Sequence, residues 1–353
     1  MKNRIYITGM GAITAQGVWR SSFFDEAEVL QQSISRAVQP VYKGLIAPAM
    51  IRRMSAGIKM GIYASQQALD DAALAMPDAI ITGTGLGCSE DSEKFLRNIL
   101  DNEEEFLTPT SFIQSTHNTV AAQIALRLGC KGYNFTYVNR SVSFESALLD
   151  GMLQLQAAEA ENILVGGIDE FSDHTYKLLQ LVGHVKQDEQ HESVKNSISR
   201  GANYAEGSVF FTLSSSKSEN AYAELLDVRL KNKLTKEGLQ PSIRQFLQEN
   251  DLEPDQIDAL VLGNNGDVEY DTYYGEAAGL FHSTPTIYYK HLVGQYDSVS
   301  AFGLTVAANV LKEQAIPSLL QWNDAEVKTT LKTILIYNQL HGQNHSLLLV
   351  RAC

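Results

Sequence analysis

The stretch NRSVSFESALLDGMLQLQAAEAENILVGG, residues Asn139–Gly167, decides the fold of this chain. A β-type run, Asn134–Val138, leads into it, a segment with helical character follows, and a second short strand, Ile163–Val165, ends at two glycines. This order places Ser141 at the start of a helix, where backbone N–H groups and the helix dipole favour developing negative charge. Enzymes that form acyl intermediates hold a nucleophile at such a place. The stretch therefore predicts an α/β architecture with a potential reaction site at Ser141.

Strand and helix patterns alternate on both sides of this stretch. The predicted strands are Arg4–Thr8, Ala79–Thr82, Ser208–Leu213, Ala259–Leu262 and Thr333–Tyr337, and the predicted helices are Ser55–Ala73, Ser89–Asp101, Asn118–Gly129 and Asp297–Leu311. Such alternation predicts mostly parallel sheets that are covered on both faces. The polar, serine-rich segment Ser214–Asn220 is the best linker candidate. We therefore expect two halves, residues 1–217 and 218–353.

The composition excludes several classes of function. The chain has 353 residues and a net charge of −13, which argues against non-specific binding to nucleic acid or to an anionic membrane surface. No apolar run approaches the ~20 residues that span a bilayer, and the N-terminus is not a signal peptide. The three cysteines fit no metal spacing. We expect a cytoplasmic protein without a metal site.

Several segments resemble elements of the β-ketoacyl-ACP synthases, the condensing enzymes of fatty acid and polyketide assembly, in the same order along the chain. They include IYITGMGAITAQG at 5–17, the stretch 139–170, GANYAEGSVFFTL at 201–213, KHLVGQYDSVSAFG at 290–303 and QLHGQNHSLLLV at 339–350. The resemblance implies the thiolase fold, in which two similar α/β halves form five layers, αβαβα. It also implies a dimer that works with an acyl carrier protein and needs no cofactor.

The residues at the family's catalytic positions differ from the family pattern. The family uses a Cys-His-His set and a lysine near the second histidine. Ser141 stands at the cysteine position, and Asn265 in the GNNGD segment stands at the first histidine position. The K-x-x-x-G spacing places Gln295 at the second histidine position, and Lys290 is retained. The resemblance thus implies a synthase homologue without its triad.

Three further residues belong to the predicted acyl pocket and its gate. The family's closing loop carries a phenylalanine between glycines, and here Leu340 takes its place with Gln339 and His341 on either side. Glu145 lies one turn after Ser141 and is expected to project into the acyl pocket or to bond back to the turn. Ser141 itself has a second interpretation, since serine is a preferred helix N-cap.

These replacements remove the chemistry of condensation. A serine hydroxyl is not ionised near neutrality and needs an adjacent base, whereas a cysteine thiol near a helix N-terminus ionises readily. The amides of Asn265 and Gln295 can donate hydrogen bonds to an oxyanion, but they are not bases at pH 7. The leading interpretation is a non-condensing subunit of the chain-length-factor type in type II fatty acid or polyketide synthesis, with an aryl-polyene-like product by analogy. Its partners would be an acyl or malonyl carrier protein and an active ketosynthase, or a second copy.

Two other interpretations remain open at the level of sequence. The chain could be an active acyltransferase, or a malonyl-ACP decarboxylase, that uses Ser141 with the retained Lys290. The glycines of GMG at 9–11 and GTGLG at 83–87 follow strands and faintly suggest nucleotide binding. Neither completes the G-x-G-x-x-G pattern with a strand-ending acid about 20 residues on, and tight turns or close packing explain these glycines better.

Overall fold

The computed structural model describes residues 4–105, 107, 109–187 and 192–353. Its strands alternate with helices along most of the chain. The strands are β1 (Tyr6–Thr14), β2 (Gly17–Val18), β3 (Ile34–Ser35), β4 (Ala79–Gly83), β5 (Tyr133–Tyr137), β6 (Asn162–Asp169), β7 (Tyr204–Ala205), β8 (Gly207–Ser214), β9 (Ala223–Lys233), β10 (Ala259–Leu262), β11 (Thr286–Tyr288), β12 (Thr333–Leu340) and β13 (Gln343–Arg351).

The helices include four single-turn segments of 3-10 geometry. The α-helices are α1 (Phe23–Glu26), α2 (Pro48–Ile51), α3 (Ala56–Asp71), α4 (Ser89–Asp101), α5 (Pro109–Ser115), α6 (Thr119–Leu128), α7 (Ser143–Gln156), α8 (Asp173–Leu181), α9 (Lys236–Gln248), α10 (Thr272–Ala278), α11 (Lys290–Val293) and α12 (Ser300–Glu313). The 3-10 turns are Arg140–Val142, Val194–Asn196, Pro254–Gln256 and Ser318–Leu320.

The strand order repeats itself in the two parts of the chain. On one side the order is β5-β4-β6-β8-β1, and on the other it is β11-β10-β12-β13-β9. In both sets the first three strands are parallel and the last two are antiparallel to their neighbours. Antiparallel pairing of Tyr6 with Glu224 and of Ile7 with Ala223 joins the two sets. The division into residues 1–217 and 218–353 stays a prediction, with the polar turn before β9 as its basis.

Three helix layers and two strand layers form the molecule, which confirms the predicted five-layer α/β arrangement. Helices α7 and α12 pack between the two strand sets, and each contacts strands of both sets. One large apolar cluster lies in the centre and takes in one face of both sets. Helices α3 and α6 cover the opposite face of the first set, and α9 and α10 cover that of the second. Strand residues alternate accordingly, since Val261 faces the central core and Leu260 faces the outer one.

Glycines continue two strands where the sequence predicted that they end. Strand β6 runs through Gly166 and Gly167 to Asp169, so the expectation that it stops at the two glycines is wrong. A Cβ on Gly166 would lie 2.4 Å from the Phe210 ring, which explains the glycine by packing. Strand β1 likewise continues beyond Thr8, to Thr14. The close approach of α3 explains Gly11, since a Cβ there would meet the Ala64 carbonyl oxygen at 2.2 Å.

Helix α12 begins three residues later than predicted. Its first residue is Ser300, whereas the sequence pattern placed the start at Asp297. The Ser298 backbone N–H and side-chain hydroxyl both donate to the Asp169 Oδ2 atom, at 2.7 Å each. This contact ties the segment before α12 to the end of β6. The chain therefore carries Asp297 on the turn before α12 rather than on the helix, and Gln295 forms an isolated β-bridge with Tyr204.

Candidate functional site

A strained turn connects β5 to α7. Arg140 has a φ of 53°, in the left-handed region that non-glycine residues rarely adopt. The Ser143 Oγ atom stabilises the turn: it accepts a hydrogen bond from the Asn139 N–H at 2.8 Å and lies 2.6 Å from the Arg140 carbonyl oxygen. The turn thus resembles the sharp strand-to-helix connection that the sequence predicted, with Ser141 at its centre.

The structure buries Ser141 completely. Its side chain has no exposed surface, and its Oγ atom has no hydrogen-bond partner in the described part of the chain. The N-cap interpretation of Ser141 is therefore wrong: the residue lies in the 3-10 turn, and Val142 precedes the first residue of α7. No base lies within hydrogen-bond reach of this hydroxyl among the described residues, so nothing there activates it as a nucleophile.

The other three predicted catalytic positions lie together in one hydrogen-bond network. The Lys290 Nζ atom donates to Gln295 Oε1 at 2.9 Å and to Asn338 Oδ1 at 2.8 Å. The Asn265 Nδ2 atom donates to the same Gln295 Oε1 at 3.2 Å. Burial lowers the pKa of Lys290 to about 7, and the neighbouring carboxyl of Asp271 opposes this shift. The oxygen of Gln295 is thus occupied by two donors.

Asp271 fixes the turn that carries Asn265. Its two carboxyl oxygens accept hydrogen bonds from the backbone N–H groups of Asn265 at 3.2 Å and Gly266 at 2.9 Å. Burial raises the pKa of Asp271 to about 6, although those two backbone donors favour the ionised form. Gly266 itself has a φ of 86°, which a turn of this shape requires.

A cavity of about 310 Å³ opens beside this network. It reaches Gln295 and the predicted gate residues Leu340 and His341. Its remaining walls come from β7 and β13, from α8 and the end of β6 with the residues that follow them, and from the segments after β4, before α7 and before α12. The residues are Leu86, Arg140, Asp169, Glu170, Phe171, Thr175, Leu179, His184, Tyr204, Tyr296, Asp297, Gln343 and Asn344. Ser141, Glu145, Asn265 and Lys290 do not line it. The predicted site residues are therefore split between a cavity wall and the buried layer behind it.

The predicted gate residue His341 stacks on another histidine. Its ring lies 3.9 Å from that of His184, at an interplanar angle of 20°, and 5.2 Å from the ring of Tyr270. Burial lowers the pKa of His341 to about 4, with His184 contributing in the same direction. His341 has a φ of 52°, so it occupies a backbone conformation for which glycine is better suited. The ring stack covers one side of the cavity.

Glu145 lies inside the protein and not in the cavity. It is fully buried, and its Oε1 atom accepts a hydrogen bond from Ser346 Oγ at 2.6 Å. Its Oε2 atom has no hydrogen-bond partner in the described part of the chain. Burial raises the pKa of Glu145 above its usual value. Neither alternative predicted for Glu145 is therefore seen: its carboxyl does not line this cavity, and it accepts no hydrogen bond from the described residues of the turn.

Three cavity carboxyls were not predicted as site residues: Asp169, Glu170 and Asp297. Asp169 accepts five hydrogen bonds, from the Thr84 hydroxyl, the backbone of Gly85 and Leu86, and both donors of Ser298. Asp297 accepts no hydrogen bond from the described residues, and burial and Asp169 raise its pKa to about 7. The sequence signals were the acidic pair that follows the two glycines and the acid two positions after Gln295.

The glycine segments do not form a nucleotide site. Gly9 and Gly11 lie within β1 and pack against α3, and Gly83 packs against the backbone of Ser143. A Cβ on Gly85 would collide with the carboxyl of Asp297. Close packing therefore accounts for these glycines, as the sequence analysis preferred. The described residues contain no group of three or more His, Cys, Asp or Glu side chains that could hold a metal ion. No helix within the described ranges is long and apolar enough to cross a membrane.

A comparison with protein families finds one match. Residues 42–218 match the model of the beta-ketoacyl synthase N-terminal domain, which covers half of the chain and includes the turn with Ser141. No curated protein matches the sequence at a significant level.

Solved structures share the fold along the full length of the chain. The ishigamide ketosynthase/chain length factor matches with a TM-score of 0.83 and 16% identity, with 100% of both chains covered. A beta-ketoacyl synthase from Burkholderia phymatum gives a TM-score of 0.80 and 17% identity, again over 100% of both chains. A ketosynthase in complex with its chain length factor, from Xenorhabdus doucetiae, gives 0.77 and 14%, covering 99% of this chain and 98% of that one. These matches confirm the predicted thiolase-like ketosynthase fold.

Proposed function

This chain belongs to the beta-ketoacyl synthase family, and from that premise we propose that it is a non-condensing subunit of the chain-length-factor type. Its task is to pair with an active ketosynthase in type II fatty acid or polyketide synthesis, where an acyl carrier protein delivers the chain. The observation that carries the proposal is the state of Ser141. Its hydroxyl is sealed from the cavity and lacks a base within hydrogen-bond distance among the described residues.

The surrounding groups support a site without condensation chemistry. The two positions at which the family has histidines carry amides, Asn265 and Gln295, and both are held in the network of Lys290. A carboxamide cannot take the proton from a nucleophile. The retained Lys290 donates two hydrogen bonds, one to Gln295 and one to Asn338. These hydrogen bonds hold Asn265, Gln295 and Asn338 around Lys290, so the network has a structural role.

An exposed sheet edge supports pairing with another subunit. Strand β5 pairs with β4 alone among the described strands, so its other side presents unpaired backbone groups. Two of its aromatic side chains, Tyr133 and Phe135, are exposed and stack on each other with ring centroids 6.1 Å apart. The half-buried ring of Tyr137 lies 4.9 Å from that of Phe135 at an interplanar angle of 55°. An open apolar edge of this kind is a template for strand addition by a partner. We propose that the ketosynthase binds at this edge of β5.

Intact-mass analysis tests the proposal directly. The wild-type chain and the Ser141→Ala variant are each incubated with acyl-ACP and with malonyl-ACP, and CO₂ release is measured in parallel. The expected result is no acyl adduct and no CO₂ from either protein. An adduct on the wild type that disappears in the variant would make the chain an acyltransferase with a serine nucleophile.

The alternative function, decarboxylation of malonyl-ACP, has one observation in its favour. The cavity reaches Gln295, and burial lowers the pKa of the adjacent Lys290 to about 7, so a neutral amine is available near neutrality. CO₂ release without an adduct, lost in a Lys290→Met variant and kept in Ser141→Ala, would favour this alternative over the non-condensing subunit.

A further inference from the structure

The charges of the cavity are unbalanced. Three carboxyl groups and one guanidinium line it in the described part of the chain: Asp169, Glu170, Asp297 and Arg140. Arg140 is exposed, so water screens its charge. Asp169 is 2% exposed and Glu170 1%, and charges in such surroundings act through a lower dielectric constant. The interior of the cavity therefore favours neutral or positively charged groups.

Asp297 is the carboxyl that remains available to a ligand. All five hydrogen bonds of Asp169 come from the protein itself. The Glu170 carboxyl likewise accepts from the backbone N–H of Gly57 at 2.6 Å and of Glu90 at 3.3 Å. Asp297, by contrast, lines the cavity and accepts no hydrogen bond from the described residues. Its carboxyl oxygens are therefore open to hydrogen bonds from a ligand in the cavity.

We propose that Asp297 makes this cavity selective against malonyl thioesters and in favour of thioesters with neutral acyl groups. The proposal rests on the proposed function, because it assumes that the arm of a carrier protein enters here. A malonyl group would bring a further carboxylate next to Asp297 and Asp169, and like charges at short range repel strongly where water is excluded. A neutral acyl group avoids this repulsion and finds apolar walls in Leu86 and Phe171.

The selectivity has a defined pH dependence. Burial and the neighbouring Asp169 on β6 raise the pKa of Asp297 to about 7, and Arg140 in the 3-10 turn opposes them. Tyr204 on β7 also interacts with Asp297, and the His184–His341 ring stack forms part of the same cavity wall. Burial raises the pKa of the cavity carboxyl Glu170 to about 7 as well, so it ionises over the same pH range. As pH rises through 7, Asp297 loses its proton while malonate stays ionised. Discrimination against malonyl should therefore grow from pH 6 to pH 8.

Calorimetric titration of the full chain with two stable probes tests the proposal. The probes are the amide analogues of butyryl-pantetheine and malonyl-pantetheine, in which nitrogen replaces the thioester sulfur. At pH 8 the dissociation constant of the wild type should be at least tenfold larger for the malonyl probe than for the butyryl probe. At pH 6 the ratio of the two constants should be smaller. In Asp297→Asn the ratio of the two dissociation constants should shrink at least fivefold at pH 8, and its change with pH should weaken to the part that Glu170 contributes. Asp324→Asn, which changes an exposed carboxyl outside the cavity, should behave as wild type.

Three outcomes would overturn the proposal. Equal or tighter binding of the malonyl probe by the wild type is one, and a ratio of the two dissociation constants that Asp297→Asn leaves unchanged is another. The third is the absence of binding of both probes, since the cavity would then not receive such an arm. If the variant does not fold, the wild-type comparison of the two probes at pH 8 still tests whether the cavity disfavours the malonyl group. None of these results depends on an adduct at Ser141 or on pairing with a ketosynthase, so failure here is distinguishable from failure of the proposed function.

Discussion

At the scale of single residues, the Ser141 hydroxyl is a buried polar group without a partner among the described residues. Leaving such a group unsatisfied costs about 1–3 kcal/mol. Ser141→Ala removes the hydroxyl and leaves the backbone of the turn unchanged. We expect this variant to raise the free energy of unfolding by about 1 kcal/mol, as measured by urea denaturation.

Ser143→Ala is the matched control two positions along the same turn. Its Oγ atom accepts from the Asn139 N–H and lies within bonding distance of the Arg140 carbonyl, so the variant should lose about 1–2 kcal/mol. Destabilisation by Ser141→Ala as large as that of the control would show that Ser141 has a partner, such as a buried water.

The buried carboxyl of Glu145 makes stability depend on pH. Burial raises its pKa above the unfolded value of about 4.3, whereas the hydrogen bond from Ser346 lowers it. The folded chain therefore holds this proton to higher pH than the unfolded chain does, and the stability of the fold decreases as pH rises above that value. Glu145→Gln keeps an acceptor for Ser346 and has no proton to lose. Its stability relative to wild type should increase from pH 4.5 to pH 8.

Urea denaturation of both proteins across that range measures the effect, since the difference between them isolates Glu145 from other titrating groups. Glu326→Gln, at an exposed carboxyl, should show no such trend. A difference that stays flat with pH would mean that Glu145 titrates in the folded chain as it does in the unfolded chain.

At the scale of elements, close contact between β1 and α3 depends on glycine. A Cβ on Gly11 would lie 2.2 Å from the Ala64 carbonyl oxygen, and both atoms belong to the backbone of packed elements. Gly11→Ala can be accommodated only if helix and strand separate, so we expect a loss of about 3 kcal/mol, measured by chemical denaturation. Gly275→Ala in α10, where nothing lies within 4 Å, should instead gain about 0.5–1 kcal/mol. Equal effects of the two substitutions would contradict the packing argument.

Elements with strong local signals could be predicted from the sequence. Helix α4 has the predicted bounds, and α3 begins one residue after its predicted start, Ser55, whose side chain caps the helix by accepting a hydrogen bond from the Ile58 N–H. The ends of strands at glycines were predicted wrongly. A glycine in a sequence usually indicates a turn, and only the position of the neighbouring element shows that it serves close packing instead. Gly166 continues β6 because Phe210, 44 positions away in sequence, fills its Cβ space.

Part of the candidate site could also be predicted from the sequence, and part could not. The K-x-x-x-G spacing led to Gln295, and the structure links that residue to Lys290 and Asn265. The cavity carboxyl Asp297 and the partner ring His184 escaped prediction, because the cavity forms from segments that are distant in the chain. The burial of the Ser141 hydroxyl is likewise a property of packing, and residue type alone does not encode it.

At the scale of the whole molecule, one carboxylate connects the two strand sets beside the cavity. Asp169 ends β6 in the first set, and its Oδ2 atom binds the Ser298 segment that precedes α12. Its Oδ1 atom holds the loop after β4. The cavity therefore lies where both parts of the chain meet, and its shape depends on their packing. A subunit that pairs through β5 would act on this cavity through the adjoining β4 and the turn at Arg140.

The exposed edge of β5 gives the prediction that decides whether the molecule acts alone. Phe135 is 45% exposed at the centre of the strand, and a charge there should block the addition of a partner strand. We expect Phe135→Lys to abolish co-purification with a co-expressed ketosynthase that has an intact triad, while the variant keeps its far-UV circular dichroism. Leu181→Lys, at an 82% exposed position on α8, is the matched control and should pair normally. Because the two substitutions add the same charge to exposed apolar positions, loss of pairing in the first alone assigns the interface to the β5 edge, and unchanged pairing in both would place it elsewhere.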